Sequence, residues 1–143
     1  MGATKTAELE LARVLLVDDN PTARLTLQTL LKAGGYHVDS AASAAEAVGK
    51  LDESEYSLVL SDMEMESPFA GLKVLAHARM MQYQPATALV ASCQDGVANG
   101  AEGRPDLLIE PHDIPGLLEG VASLIGERCA RRLHRELRLH HLD

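Results

Sequence analysis

Short apolar runs recur along this chain, with a helical pattern between one run and the next. VLLVDD, residues 14–19, holds four apolar residues without a polar break and then ends on two acids. YSLVLSD, residues 56–62, is mostly apolar up to its final aspartate, and TALVASC, residues 87–93, closes on a hydroxyl and a thiol. YHVDSA, residues 36–41, and LLIE, residues 107–110, are shorter runs of the same kind. Runs that are apolar on both faces read as buried parallel strands. Strands that alternate with helices join as βαβ units, so the pattern predicts an α/β fold. Its five-stranded parallel sheet would have helices on both faces.

The helical segments carry their own punctuation. Asn20-Pro21 offers a cap followed by proline at the first helical position. Ala23, Leu27, Leu30 and Leu31 then recur at helical spacing until Gly34-Gly35 stops the helix. Ser43 and Glu46 form the sequence signature of a capping box, and Ala44, Ala47, Val48 and Leu51 are the inner face that follows. GLKVLAHARMMQ, residues 71–82, places Leu72, Leu75, Ala76 and Arg79 along one side. The fourth helical segment is eroded: GVANGAEGRP, residues 96–105, holds three glycines and a proline. Each interior glycine costs about 1 kcal/mol, so a turn or two at most is expected there. A long helical pattern runs from about Ile114 to the last residues.

Composition narrows the class of protein. With 46% hydrophobic and 24% charged residues the chain has enough apolar material for one packed domain and is not of the disordered type. The formal net charge is -8, which argues against nonspecific nucleic-acid binding. Cys93 and Cys129 form neither a CxxC pair nor a metal-spaced set, and they suit a reducing cytoplasmic setting. MGATKTAELELA, residues 1–12, has no long apolar stretch, and no run reaches membrane-spanning length. MGATKT has the form of a myristoylation site, but with no second membrane signal it is read as a coincidence.

In a parallel α/β sheet, reactive groups collect at the carboxyl ends of the strands. Here those ends carry Asp18, Asp19, Asp62, Ser92 and Glu110. One aspartate after a strand is ordinarily a loop starter or a helix cap. A DD pair after one strand, a single Asp after another and a hydroxyl after a third form a more specific set. Converging carboxylates suit Mg²⁺, a hard cation that takes oxygen ligands. A carboxylate beside such a cation is also a nucleophile toward phosphoryl groups.

From about residue 13 to residue 125, VLLVDDNPTARLTLQTLLKAGGYHVDSAASAAEAVGKL, VLSDMEM and the final EP step resemble the receiver domain of bacterial two-component response regulators. The resemblance implies a flavodoxin-like strand order 2-1-3-4-5. It implies that Asp62 is the phospho-acceptor and that Asp18 and Asp19 are the Mg²⁺ acid pair, Asp19 the more direct ligand. The backbone carbonyl of Glu64 would be a further metal ligand, and Ser92 would hydrogen-bond the phosphoryl group, unless Ala91 takes that place. A sensor histidine kinase or phosphotransfer protein would be the phosphoryl donor. The chain would not be an enzyme beyond self-catalysed transfer onto Asp62.

The chain departs from that family in three places. Glu110 stands where the family has lysine, Leu107 stands where it usually has an aromatic switch residue, and the segment before them is about a turn short. Two unit charges 4 Å apart interact by about 4 kcal/mol at an effective dielectric of 20. Exchanging lysine for Glu110 would therefore weaken the phosphorylated state by several kcal/mol, unless Glu110 takes up a proton shared with the clustered carboxylates, or turns to solvent while Pro111 merely shapes the turn. The expected function is thus a signalling receiver with altered phospho-switching and output through protein contacts. The alternative is a degenerate receiver that binds or dimerises without phosphorylation.

Residues 126–143 extend the last helix beyond a receiver of residues 13–125, with residues 1–12 as an N-terminal extension. Leu117, Val121, Leu124 and Ile125 would cover the sheet. Cys129, Leu133 and Leu137 continue a stripe at spacing four, flanked by Arg128, Arg131, Arg132, Arg135 and Arg138. A homodimer through this helix is the simplest way to bury the stripe. ARRLHREL, residues 130–137, also echoes the phospho-accepting helix of sensor kinases, which makes His134 a secondary candidate. His37, His77 and His112 read as surface residues, and nucleic acid is not the expected partner.

Overall fold

Four five-residue strands build the sheet of the computed structural model, which describes residues 12–63, 65–67, 69–90, 107–109 and 114–142. They are β1 (Arg13–Val17), β2 (His37–Ala41), β3 (Leu58–Asp62) and β4 (Ala86–Val90). All pair in parallel, with Leu16 of β1 facing Ser40 of β2 on one side and Leu60 of β3 on the other. The period of two along each strand sends Val14 and Leu16 to one face and Leu15 and Val17 to the other. Both faces are covered, which is why Val14–Val17 of β1 and Leu58–Leu60 of β3 are apolar without a break.

The expectation of a five-stranded sheet is corrected. Four full-length strands in the order 2-1-3-4 and, among the described residues, four helices carry it, and the fifth position in the order is filled only by a three-residue strand, Leu107–Ile109, paired in parallel with β4. Pro105 and Pro111 bracket this run and lack the amide hydrogen that a longer ladder would need. Residues 91–106, where an eroded helix is expected, lie outside the described residues, as do residues 1–11.

The helices are α1 (Pro21–Ala33), α2 (Ala44–Glu53), α3 (Ala70–Arg79) and α4 (Ile114–Leu142). Asn20 caps α1 by accepting the Ala23 amide at 3.0 Å. At the other end Gly34 donates to Leu30 and Leu31, and Gly35 takes a φ of +100°, which suits glycine. Ser43 accepts the Glu46 amide at 3.1 Å, while the Glu46 carboxylate reaches back one residue further than a standard capping box, to the Ala42 amide.

α2 and α3 lie on one face of the sheet, where Ala47, Leu51, Val74, Leu75 and Ala78 meet Leu15, Val17 and Val59. α1 and α4 cover the other, where Leu31, Leu117, Val121 and Leu124 meet Val14, Leu16, Leu58 and Leu60. The inner face of α3 is rotated from the one expected: Ala76 and Arg79 are exposed, and Val74 and Ala78 are buried. Alanines at 70, 76 and 78 blur the apolar stripe, so sheet contact rather than hydropathy decides the face. α4 runs on past the sheet, with residues 131–137 exposed throughout. Among the described residues, no helix is long and apolar enough to cross a membrane.

A polar clamp closes the amino end of the sheet. The Tyr56 hydroxyl donates to Asp39 at 2.8 Å, Arg13 bonds the same carboxylate oxygen at 2.9 Å, and the guanidinium lies 5.4 Å from the Tyr56 ring centre. Burial would raise the Asp39 carboxyl, but the Tyr56 bond and the Arg13 charge outweigh it and hold it below its ordinary value. A carboxyl depressed in the folded state adds stability above its unfolded pKa and loses it as pH falls through the folded one. Tyr56→Phe is therefore expected to cost about 1 kcal/mol near neutrality. That cost should shrink at about pH 3, as read from urea midpoints of both proteins at the two pH values.

Candidate metal and phosphoryl site

The carboxyl ends of β1 and β3, neighbours in the sheet, bring three aspartates together. One carboxylate oxygen from each of Asp18, Asp19 and Asp62 lies within 4.8 Å of the other two. This is the set singled out from the DD and SDM runs, and parallel pairing of β1 with β3 is what joins residues more than forty positions apart in sequence.

The backbone is pinned at Asp18 and at the Asp62 end of β3. The Asp18 amide donates to Ala41 at 3.1 Å, its carbonyl accepts from Arg24 at 2.8 Å, and its carboxylate accepts the Asn20 amide at 3.0 Å. Asp62 is the last residue of β3, opposite Val90 of β4, and its carbonyl accepts from the Ser61 hydroxyl at 2.9 Å. The next residue, Met63, donates to Val90 at 3.1 Å and accepts from the Gly71 amide at 2.9 Å. Glu66, in the loop that follows, accepts from the Ala44 amide at 3.0 Å and ties that loop to the start of α2.

Exposure grades the three acids: Asp18 is buried, Asp62 is intermediate and Asp19 is exposed. Burial pushes the Asp18 carboxyl up, opposed by the Asn20 amide, raised further by the Asp19 charge and lowered by Arg24. A buried carboxylate crowded by another acid is an unfavourable place for negative charge and a favourable one for a hard cation. The donor set therefore fits Mg²⁺: all-oxygen, anionic, and open on the Asp19 side.

Several expected site residues lie outside the described residues: Glu64, Ala91, Ser92 and Glu110, along with the side chain of Leu107. Two residues with clear roles were not anticipated. Arg24, one turn into α1, holds the Asp18 carbonyl, and nothing in its surroundings in sequence marks it out. Gly71 packs the first turn of α3 against the Asp62–Met63 backbone, and a lone glycine at a helix start was its only signal.

Comparison with known proteins agrees with this geometry. Residues 14–98 match the response regulator receiver domain family. The transcriptional regulatory protein CpxR homologue of Haemophilus influenzae is 32% identical over 120 residues, covering 80% of this chain and 51% of its own length. The response regulator TrrA of Thermotoga maritima, in complex with Mg²⁺ and BeF, matches with a TM-score of 0.71 at 28% identity, over 80% of this chain and 99% of that one. TrrA in complex with the histidine kinase ThkA matches with a TM-score of 0.68, also at 28% identity, over 80% of this chain and 98% of that one. The chain spans about half the length, or less, of the curated relatives it matches.

Proposed function

Because this chain belongs to the response regulator receiver domain family, we propose that it is a phospho-accepting signalling module built on Asp62. The observation that carries this reading is the convergence of Asp18, Asp19 and Asp62 at the carboxyl ends of β1 and β3, with Asp62 accessible from solvent. An Asp62 carboxylate oxygen bonds to phosphorus as the bond from phosphorus to the donor's imidazole nitrogen breaks. A sensor histidine kinase or a phosphotransfer protein is the donor, a reading that the TrrA–ThkA complex supports by likeness.

Asp18, Asp19 and Asp62, with the carbonyl of Glu64, would hold Mg²⁺, which supplies positive charge against the incoming phosphoryl oxygens. The chain's own part is to fix the acceptor: the β3–β4 pairing and the Met63–Gly71 bond hold Asp62 in place before the donor arrives. Ser92 would donate to a phosphoryl oxygen. Glu110 in place of lysine and Leu107 in place of an aromatic residue support an altered switch, one that lacks the usual cation to clasp the phosphoryl group. The setting is cytoplasmic, output passes through protein contacts, and no separate substrate is turned over.

A second reading, a binding or dimerisation module independent of phosphate, is favoured by one observation. Leu133 and Leu137 are exposed at 56% and 59% on the protruding part of α4, in line with exposed Cys129. Under that reading Asp62→Asn leaves signalling intact; under the first it abolishes it.

Titration calorimetry with Mg²⁺ tests the metal site. One site is expected in the wild type, and Asp19→Asn should weaken it by at least about tenfold, or ~1.4 kcal/mol. Equal affinity in the two proteins would remove the acid pair from the proposed role.

A further inference from the structure

Far from the acid cluster, where α4 crosses the amino end of β4, a cavity of about 330 Å³ is lined largely by arginine. Arg128, Arg131, Arg132 and Arg135 come from α4 at spacings of three, four and seven, which place them on one helix face. Arg79, the last residue of α3, closes the ring from the other side. Tyr83 and Pro85, in the turn before β4, also line the cavity.

One member of the set serves as a fastener. Arg128 is only 8% exposed, and its guanidinium donates to the Gln84 carbonyl at 3.0 Å and to the Tyr83 carbonyl. Tyr83 donates its hydroxyl to Leu51 at 2.9 Å, and Gln84 takes a φ of +43°, so the turn that receives Arg128 is itself held in one shape. Arg128 thus fixes α4 over the turn and leaves Arg131, Arg132 and Arg135 at the rim, all exposed.

That arrangement is electrostatically unfavourable when empty. Like charges four apart on a helix repel, and here two such pairs, Arg128 with Arg132 and Arg131 with Arg135, share one face. Among the described residues, none of the five arginines forms an ion pair with a carboxylate. Burial, followed by the charge of Arg132, makes the Arg128 guanidinium easier to deprotonate than usual, while Glu55 acts the other way. Five of the 13 lysines and arginines of a chain with net charge -8 are gathered around one concavity.

We propose that this cavity is a binding site for a small phosphate-bearing anion, either an inorganic polyphosphate or a nucleotide. Guanidinium groups present paired donors that match phosphate oxygens two at a time, which a lysine cluster would not do. The volume lies at the small end of the range for ligand sites and suits two or three linked phosphates. A nucleotide would set its phosphates on the arginine rim and its base against the Tyr83 ring. An extended nucleic-acid strand fits less well, because the surface beyond residue 125 is basic while the body it adjoins carries a net charge of -10. The site shares no residue with the acid cluster and does not depend on phosphoryl transfer to Asp62.

The test is titration calorimetry of the whole chain with pyrophosphate in metal-free buffer at low salt, for wild type, Arg132→Gln/Arg135→Gln and Asp62→Asn. Both arginines are exposed, so the double variant should keep its helical circular dichroism. The wild type and Asp62→Asn should bind alike at one saturable site. The double variant should bind at least about tenfold more weakly, and wild-type affinity should fall as salt rises. Adenosine triphosphate binding more tightly than pyrophosphate would assign the site to a nucleotide; equal binding would assign it to the phosphate chain alone. No saturable binding in the wild type, unchanged affinity in the double variant, or much tighter binding of a single-stranded oligonucleotide would each overturn the proposal.

Discussion

Gly71→Ala is expected to destabilise this protein by about 3 kcal/mol and to displace the phospho-acceptor strand end. A Cβ built at Gly71 would lie 2.7 Å from the Met63 Cα and 3.0 Å from the Asp62 carbonyl carbon, and closer still to the Asp62 carbonyl oxygen. These are backbone atoms of the β3 end, which cannot swing aside as a side chain would. Either α3 lifts away and the 2.9 Å bond from the Gly71 amide to Met63 is lost, or Asp62 moves relative to Asp18 and Asp19. Overpacking costs about 1–3 kcal/mol and the lost bond about 1 more, so a fall of roughly 10 °C in Tm is expected. Gly49 and Gly126, helical positions where an added Cβ meets nothing within 4 Å, are the controls. Alanine at either should leave Tm unchanged or raise it, since alanine favours a helix by about 1 kcal/mol over glycine. A Gly71→Ala protein that melts with the wild type would show that the contact between α3 and β3 is slack.

The parts legible in the sequence were those where one local signal dominates. VLLV and LVLSD lie in buried central strands, and a run that is apolar on both faces has few other uses. Asn20-Pro21 and Gly34-Gly35 bound α1 because capping and left-handed backbone are local chemistry. The acid cluster was legible because carboxyl ends of neighbouring parallel strands converge whatever the loops do. The parts that were not legible depend on what meets in space. The buried face of α3 was misjudged because small alanines leave its stripe ambiguous, and the sheet decided it. The shortness of the fifth strand was not legible because an apolar run between two prolines states hydropathy and not length. The Arg13–Asp39–Tyr56 clamp and the seat of Arg128 on the Tyr83–Gln84 carbonyls join residues up to 45 positions apart, with no spacing to announce them.

Asp62→Asn is expected to abolish phosphoryl uptake entirely while leaving the fold intact. The amide keeps the shape of the carboxylate but is a poor nucleophile, and it removes one negative charge from a crowded set of three. Thermal stability should hold or rise, because the cluster holds like charges at close range in the absence of a cation. Loss of uptake in such a variant reports the chemistry of residue 62 and not unfolding. The most direct measurement is the intact mass of the wild type and of Asp62→Asn after incubation with a small acyl phosphate and Mg²⁺. A single phosphoryl adduct on the wild type, absent from Asp62→Asn and absent without Mg²⁺, is the result predicted here. An adduct of equal yield on Asp62→Asn, or none on the wild type with either the acyl phosphate or a phosphorylated histidine kinase, would contradict it.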